Sequence, residues 1–230
     1  MSAISQYSKE SINMLLCVCA IMPIQILIVD DHPIVRVGVA AMIVRFGELR
    51  ISGLAGSGEE AIEQYAKNRP DIVLLDLRLP GISGLETLQI IRKNDPRARI
   101  VILTTYDGDE DIHRAMQAGA KGYLTKGLPP ETLLEAIRKV YADGIYIPSP
   151  ISISLAQRTA DSCLSTRECE VLQLMAEGNS NKDIAERLGI SVSTVKCHIS
   201  VILARLNAND RTQAVIIGQN RGFMHPSKPA

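Results

Sequence analysis

Five residues of this chain could together handle a phosphoryl group or a hard cation: Asp30, Asp31, Asp76, Thr104 and Lys126. Each stands at the end of a short aliphatic run. The strongest case is Ile72-Val73-Leu74-Leu75-Asp76, where four aliphatic residues lead into one carboxylate ahead of the Pro80-Gly81 turn. A continuous apolar run bounded by turn signals reads as a strand buried on both faces of a parallel sheet, and open α/β sheets place ligands at the carboxyl ends of their strands. Three carboxylates gathered there crowd negative charge that a cation would relieve. Oxygen donors with no His or Cys among them select a hard cation, and Mg²⁺ is the natural one. An ammonium and a hydroxyl beside the same cluster suit an incoming phosphoryl group, one by charge and the other by a hydrogen bond. Singly, each residue has a plainer reading: Asp76 as a turn cap, Asp30-Asp31 as a solvated turn, Thr104 as a cap, Lys126 as a surface charge. Their joint occurrence at four strand ends is what points to function.

The elements that must position them alternate in period. Short aliphatic runs and helix-length amphipathic segments take turns from Ile24 onward, the mark of βαβ units and a parallel sheet. Strands are expected over Ile24–Val29, Arg50–Leu54, Asp71–Asp76, Arg99–Leu103 and Gly122–Lys126. Helices follow from Pro33, over Gly58–Asn68, from Ser83, from Asp109 to Gly119, and over Glu131–Tyr141. Pro33 suits a first helical turn, where its missing N–H is not needed. The first helix carries Ile34, Val37, Val39, Ala41 and Met42 toward Phe46, and His32 reads as a turn residue. Five such units give a flavodoxin-like doubly wound (βα)5 domain over residues 24–144.

Asp30-Asp31, Asp76 before Leu79-Pro80-Gly81, Thr104, and Tyr123 three residues before Lys126 resemble the receiver domain of bacterial two-component response regulators. The resemblance implies that Asp76 accepts phosphate from a sensor histidine kinase. It implies that Asp31, the Asp76 carboxylate and the backbone carbonyl of Arg78 bind Mg²⁺, with Asp30 reaching it through water. Lys126 and Thr104 would contact the phosphoryl oxygens, and Tyr123 would turn inward behind Thr104. This chain departs from many receivers at Lys126-Gly127, where a Lys-Pro pair is common.

Length and composition set the frame. The 230 residues suffice for two domains, and 25 basic and 25 acidic groups balance, so bulk charge announces neither a nucleic-acid coat nor a membrane surface. The balance is uneven: residues 22–145 hold 15 basic and 17 acidic groups, residues 163–230 hold 8 and 6. Five cysteines without zinc spacing form no disulfide framework, and a reduced, cytoplasmic protein is the expectation. The apolar run Met14–Met22 falls well short of the roughly 20 residues a membrane span takes, and a lone Lys9 ahead of it does not make a signal peptide. Residues 1–23 read as an amino-terminal extension, with Met22 a second candidate start.

Past Tyr141 the texture changes. Pro148 and Pro150 favour extended backbone, and residues 145–162 read as an interdomain connector. From Leu164 everything is helical. Ser165 with Glu168 three residues on makes a capping box. A helix ends at Gly178, a second runs Asn181–Leu188 and closes at Gly189, a third runs Ser191–Leu206, and Asp210 caps a fourth. In the third, Val195, Ile199, Ile202 and Leu206 share one face, while Lys196, Cys197, Ser200 and Ala204 take the other. Two short helices about a Gly-containing turn form a helix-turn-helix pattern.

Leu164-Ser165-Thr166-Arg167-Glu168, the stretch Gly178–Ala185 and the stretch Ile190–His198 closely resemble the LuxR-type output domain. With the receiver, the whole is similar to the NarL/FixJ class of response regulators. That resemblance implies a small four-helix DNA-binding domain over residues 163–223, a tail over 224–230, and a third helix that enters the major groove of double-stranded promoter DNA. Ser193, Thr194, Lys196, Cys197 and Ser200 would face the groove, and Asn181 and Lys182 would approach phosphates. A small net charge of this half points to binding as a homodimer. The expectation is a phosphorylation-controlled transcription factor, not an enzyme beyond self-phosphoryl transfer to Asp76. Two rivals stand beside it. A regulator with a degenerate receiver has no need of the intact set of five, and a Mg²⁺-dependent phosphatase needs a second acid where Arg78 stands.

Overall fold

Five aliphatic runs pair side by side, all parallel, in the order β2-β1-β3-β4-β5. They are β1 (Ile24–Val29), β2 (Leu49–Ala55), β3 (Ile72–Leu75), β4 (Ile100–Thr104) and β5 (Gly122–Thr125). The computed structural model describes residues 22–105, 108–149, 152 and 163–224. The apolar run up to Ile21 and most of the expected connector therefore lie outside the described residues. Helices α1 (Pro33–Val44), α2 (Gly58–Asn68), α3 (Gly84–Asn94), α4 (Asp109–Gln117) and α5 (Pro130–Tyr141) join the strands. The order 2-1-3-4-5 is that of a flavodoxin-like sheet, with its switch point between β1 and β3.

Both faces of the sheet are covered, which is why the strands carry unbroken aliphatic runs. On one face Ile26, Ile28, Ile72 and Leu74 pack with Val39, Ile43, Leu133 and Ile137 of α1 and α5. On the other, Leu27, Leu75 and Ile102 pack with Ala61, Leu88, Ile91, Ile112 and Ala115 of α2, α3 and α4.

Helix α1 buries only part of its apolar surface. Val39 and Ile43 are buried, but Ile34 is 87% and Val37 66% exposed, and Ala41 is exposed too. The segment PIVRVGVAAMIV is apolar almost all round, so its own pattern names no buried face. The sheet chose the face. At the connector's near end Tyr146 bridges to Gly122 and packs on the first core, so the receiver extends past residue 144.

The helix that follows β3 starts unusually close to it. A Cβ on Gly84 would lie 2.0 Å from the Asp76 carbonyl oxygen, while Ser83 and Glu86 cap the helix reciprocally. We expect Gly84→Ala to lower the receiver's unfolding free energy by about 1–3 kcal/mol, the range for overpacking, and to displace Asp76. Denaturant titration measures it; a change under about 0.5 kcal/mol would show that α3 can retreat without cost.

The second core is helical: α6 (Thr166–Ala176), α7 (Asn181–Leu188), α8 (Val192–Leu206) and α9 (Arg211–Asn220). Val171, Leu172, Ile184, Val195, Ile202, Leu206 and Ala214 are buried together. Phe223 and Met224 join them, so the residue assigned to the tail belongs to this core. Serine or aspartate caps every one of these helices at its start: Ser165, Ser180, Ser191 and Asp210. Gly189 closes α7 in the left-handed region at φ 64°, and the chain then turns by 108° into α8. That angle lies within the helix-turn-helix range. No single helix among the described residues is long and apolar enough to cross a membrane.

Among the described residues, the two domains touch around the start of α4. The Glu110 N–H at the start of α4 donates to the Arg221 carbonyl at 2.9 Å, and Arg114 Nη2 lies 3.7 Å from Cys169 Sγ. Cβ atoms on Gly108 and Gly222 would each fall under 3 Å from the opposite domain.

Candidate functional site

The carboxyl ends of β1, β3, β4 and β5 meet in one pocket. Asp30 follows β1 and is 2% exposed, Asp76 follows β3 and is 3% exposed, and Thr104 ends β4 with no exposure. Lys126 follows β5, and its backbone N–H donates to the Thr104 carbonyl at 2.7 Å, which locks the fifth strand end against the fourth. Its Nζ reaches Asp30 Oδ2 at 2.5 Å and Asp76 Oδ2 at 2.7 Å. Burial works against the Lys126 charge, but the hydrogen bonds and charges of Asp30 and Asp76 outweigh it and raise its pKa above the ordinary value. The lysine is thus a fixed cation between two carboxylates.

Two of the buried side-chain atoms without a hydrogen bond stand at the ends of β3 and β4. Asp76 Oδ1 and Thr104 Oγ1 are buried and make no hydrogen bond. Buried polar atoms without a partner are rare and costly, about 1–3 kcal/mol each. These two stand at the carboxyl ends of the adjacent strands β3 and β4, one a carboxylate acceptor and the other a hydroxyl that can donate. A phosphoryl group on Asp76 would satisfy both.

Asp30 is held from several sides. The His32 N–H donates to Asp30 Oδ1 at 2.9 Å, and Arg36 Nη1 donates to the Asp30 carbonyl at 2.5 Å. His32 Nδ1 lies 2.6 Å from Asp31 Oδ1 and 3.6 Å from Asp30 Oδ1. Among the described residues, Asp30, Asp31 and His32 bring ligand atoms close enough together that they could hold a metal ion. Buried carboxylates at the switch point with an orphan oxygen on Asp76 fit a hard divalent cation. Asp30, Asp31 and Asp76 would hold it, and Arg78, two residues past Asp76, lies in the adjoining turn.

Tyr123 is wholly buried on β5, packed in the core under α4. Its register partner on β4 is Ile102, and Thr125 pairs with Thr104, so Tyr123 and Thr104 project to the same side of the sheet. Sequence reading gave His32 no more than a turn role and did not single out Arg36. Their i, i+4 spacing at the start of α1 was a legible signal that both could reach back toward the acidic turn.

The second surface is on α8. Ser193, Thr194, Lys196, Cys197 and Ser200 are exposed there, opposite the buried Val195, Ile202 and Leu206. Lys182 is exposed at the start of α7. Asn181, half-buried, accepts from Arg211 Nη1 at 3.3 Å, and Arg211 also donates to the Asn179 carbonyl at 2.5 Å. The α6–α7 turn is thereby pinned to α9. Ser200 Oγ donates back to the Lys196 carbonyl at 3.1 Å.

A doubly wound domain with such a pocket, on one chain with a helix-turn-helix domain, defines a two-domain regulator. Residues 26–138 match the response regulator receiver domain, and residues 162–217 match the bacterial regulatory proteins of the luxR family. The chain is 36% identical over 212 residues to the nitrate/nitrite response regulator protein NarL of Escherichia coli (strain K12), covering 87% of this chain and 98% of that one. It is 36% identical over 200 residues to the response regulator protein VraR of Staphylococcus saprophyticus, covering 85% and 96%. Among solved structures, the response regulator ChrA of a heme-sensing two-component system is 30% identical with a TM-score of 0.53, covering 88% and 100%. The chain belongs to the two-component response regulators that join a receiver domain to a LuxR-type helix-turn-helix domain, and it is a DNA-binding transcriptional regulator.

Proposed function

We propose that Asp76 is the phosphoacceptor and that its phosphorylation by a sensor histidine kinase controls promoter binding by α8. The observation that carries this reading is the pair of buried, partnerless atoms, Asp76 Oδ1 and Thr104 Oγ1, in one pocket. Asp76 Oδ1 forms a bond to phosphorus as the donor's phosphorus–nitrogen bond breaks, and the imidazole leaves with the electron pair. Thr104 Oγ1 donates to a phosphoryl oxygen, and Lys126, already 2.7 Å from Asp76, neutralises the added charge. Asp31, Asp76 and the Arg78 carbonyl would hold Mg²⁺, with Asp30 reaching it through water, and the ion would supply positive charge to screen the transferred group. Tyr123, on the same side as Thr104, follows the movement of Thr104 and passes it to α4. The only covalent chemistry is this self-phosphoryl transfer, and the protein works in the cytoplasm.

On DNA, α8 enters the major groove with Ser193, Thr194, Lys196, Cys197 and Ser200, while Lys182 and Asn181 lie toward phosphates. Two copies, paired on phosphorylation, read half-sites about one helical turn apart. Footprinting a promoter with and without acetyl phosphate and Mg²⁺ tests both domains and their coupling; identical protection in the two arms refutes the control step. Lys182→Ala is expected to weaken binding to all sequences alike and to lower the salt slope by about 1 per monomer, as loss of one phosphate contact does. A slope unchanged across a salt titration would remove Lys182 from the interface.

A further inference from the structure

Arg211 opens α9 at a place where a cation is disfavoured, because the amino end of a helix carries partial positive charge. A local preference overridden in this way is expected at a functional site. The guanidinium reaches away from its own helix. Nη2 donates to the Asn179 carbonyl at 2.5 Å and Nη1 to Asn181 Oδ1 at 3.3 Å, and the Met175 carbonyl lies 3.5 Å from Nη2. One side chain thus ties together the end of α6, the turn after it and the first residue of α7.

The bond to Asn181 settles which way that amide faces. Arginine has N–H donors and no acceptor, so the atom it meets must be the amide oxygen. Nδ2 is left on the other side, with no hydrogen bond among the described residues. A phosphate oxygen only accepts, so it can bond to Nδ2, whereas the opposite flip would bring Oδ1 against it. From this geometry we propose that Arg211 is a positioning residue for DNA binding: it holds the Asn181 amide with its donor toward the phosphate backbone. The proposal rests on the reading of Asn181 as a phosphate contact and adds a residue to it. Direct contact between Arg211 and a phosphate fits less well, because the guanidinium is half-buried and turned onto protein acceptors. A purely structural clip is served by the backbone carbonyls alone and has no need of the Asn181 side chain.

The test uses the full chain and a fluorescently labelled duplex of mixed sequence, since a phosphate contact carries no sequence information. Affinity is read by anisotropy over a series of salt concentrations. Asn181→Ala is expected to raise the dissociation constant about 10-fold, as loss of a hydrogen bond to a charged group does. Arg211→Lys keeps the charge but not the fork that spans carbonyl and amide, and should weaken binding by a comparable factor. Its salt slope should stay as in the unaltered protein, because no cation leaves the backbone. The deciding arm is Arg211→Lys placed in Asn181→Ala. With no amide to orient, it should change affinity by less than about 2-fold, the tolerance of double-mutant additivity. An equal loss in both backgrounds overturns the proposal and makes Arg211 a structural clip. A slope lower by about 1 in Arg211→Met also overturns it, since that places the guanidinium itself on a phosphate. If Asn181→Ala leaves affinity unchanged, the phosphate reading of Asn181 fails and the proposal with it. If Asn181→Ala weakens binding and Arg211→Lys does not, that reading stands and the proposal alone fails. The unaltered protein supplies a readout that needs no variant. Its Asn181 side-chain N–H protons should shift in nuclear magnetic resonance spectra when duplex is added, and protons that stay in place overturn the proposal.

Discussion

Asp76→Asn is expected to abolish phosphate incorporation from acetyl phosphate and to leave the fold intact. The amide is the same size as the carboxylate, and its oxygen can still accept from Lys126, which holds Asp76 at 2.7 Å. What the amide cannot do is form an acyl phosphate with the oxygen that stands partnerless in the pocket. The second expected effect lies at the other end of the molecule. Coupling between two sites amounts typically to about 1–3 kcal/mol, or 5–150-fold in affinity. The concentration of Asp76→Asn needed for half-protection of promoter DNA should exceed that of the phosphorylated protein by a factor in this range. Labelling and footprinting on the same preparation check both. Retained phosphate-dependent binding in Asp76→Asn would disprove the assignment.

Lys126→Ala should produce the largest change in stability. Lys126 holds Asp30 and Asp76, which are 2% and 3% exposed, and its own side chain is 12% exposed. Removing one partner of a buried ion pair costs about 3–5 kcal/mol, because the remaining charge is left uncompensated in a poorly solvated place. Here two carboxylates lose the same cation. The receiver's unfolding free energy in a chelating buffer should fall by about that amount. A cation that binds the folded site should then return part of the loss, about 2.7 kcal/mol at one hundred times its dissociation constant. Denaturant titrations with chelator and with Mg²⁺ measure the two quantities. A loss that Mg²⁺ does not touch would mean that Lys126 supports packing rather than the charge balance of the pocket.

The interdomain contact bears on how the two results connect. Thr104 ends β4, and four residues on, Gly108 meets the backbone of Arg221 and Gly222 so closely that a Cβ would lie 2.7 Å from the Arg221 carbonyl carbon. Thr104 and the contact with the second domain are therefore only four residues apart along the chain. The exposed residues of α8 lie away from this contact, so docking of the domains does not cover them.

Much of this protein was determined by sequence alone, because the signals concerned are local. Unbroken runs such as Ile72–Leu75 can be buried on both faces only in a parallel sheet, and parallel strands share one carboxyl edge. Asp30, Asp76, Thr104 and Lys126 were bound to meet there. The capping serines of the second domain likewise mark helix starts by short-range hydrogen bonds that any fold would keep. Only the tertiary structure decided the rest. Helix α1 is apolar on every side, so the sheet selected Val39 and Ile43 and left Ile34 and Val37 in solvent. Met224 and Tyr146 look like tail and connector residues until the core that receives each is assembled around them. The approach of His32 to Asp31 depends on rotamers and on the angle at which α1 leaves β1, and residue type does not encode either. The acidic pocket at the strand ends was legible because backbone direction places it, and its outer partners were not because side-chain packing does.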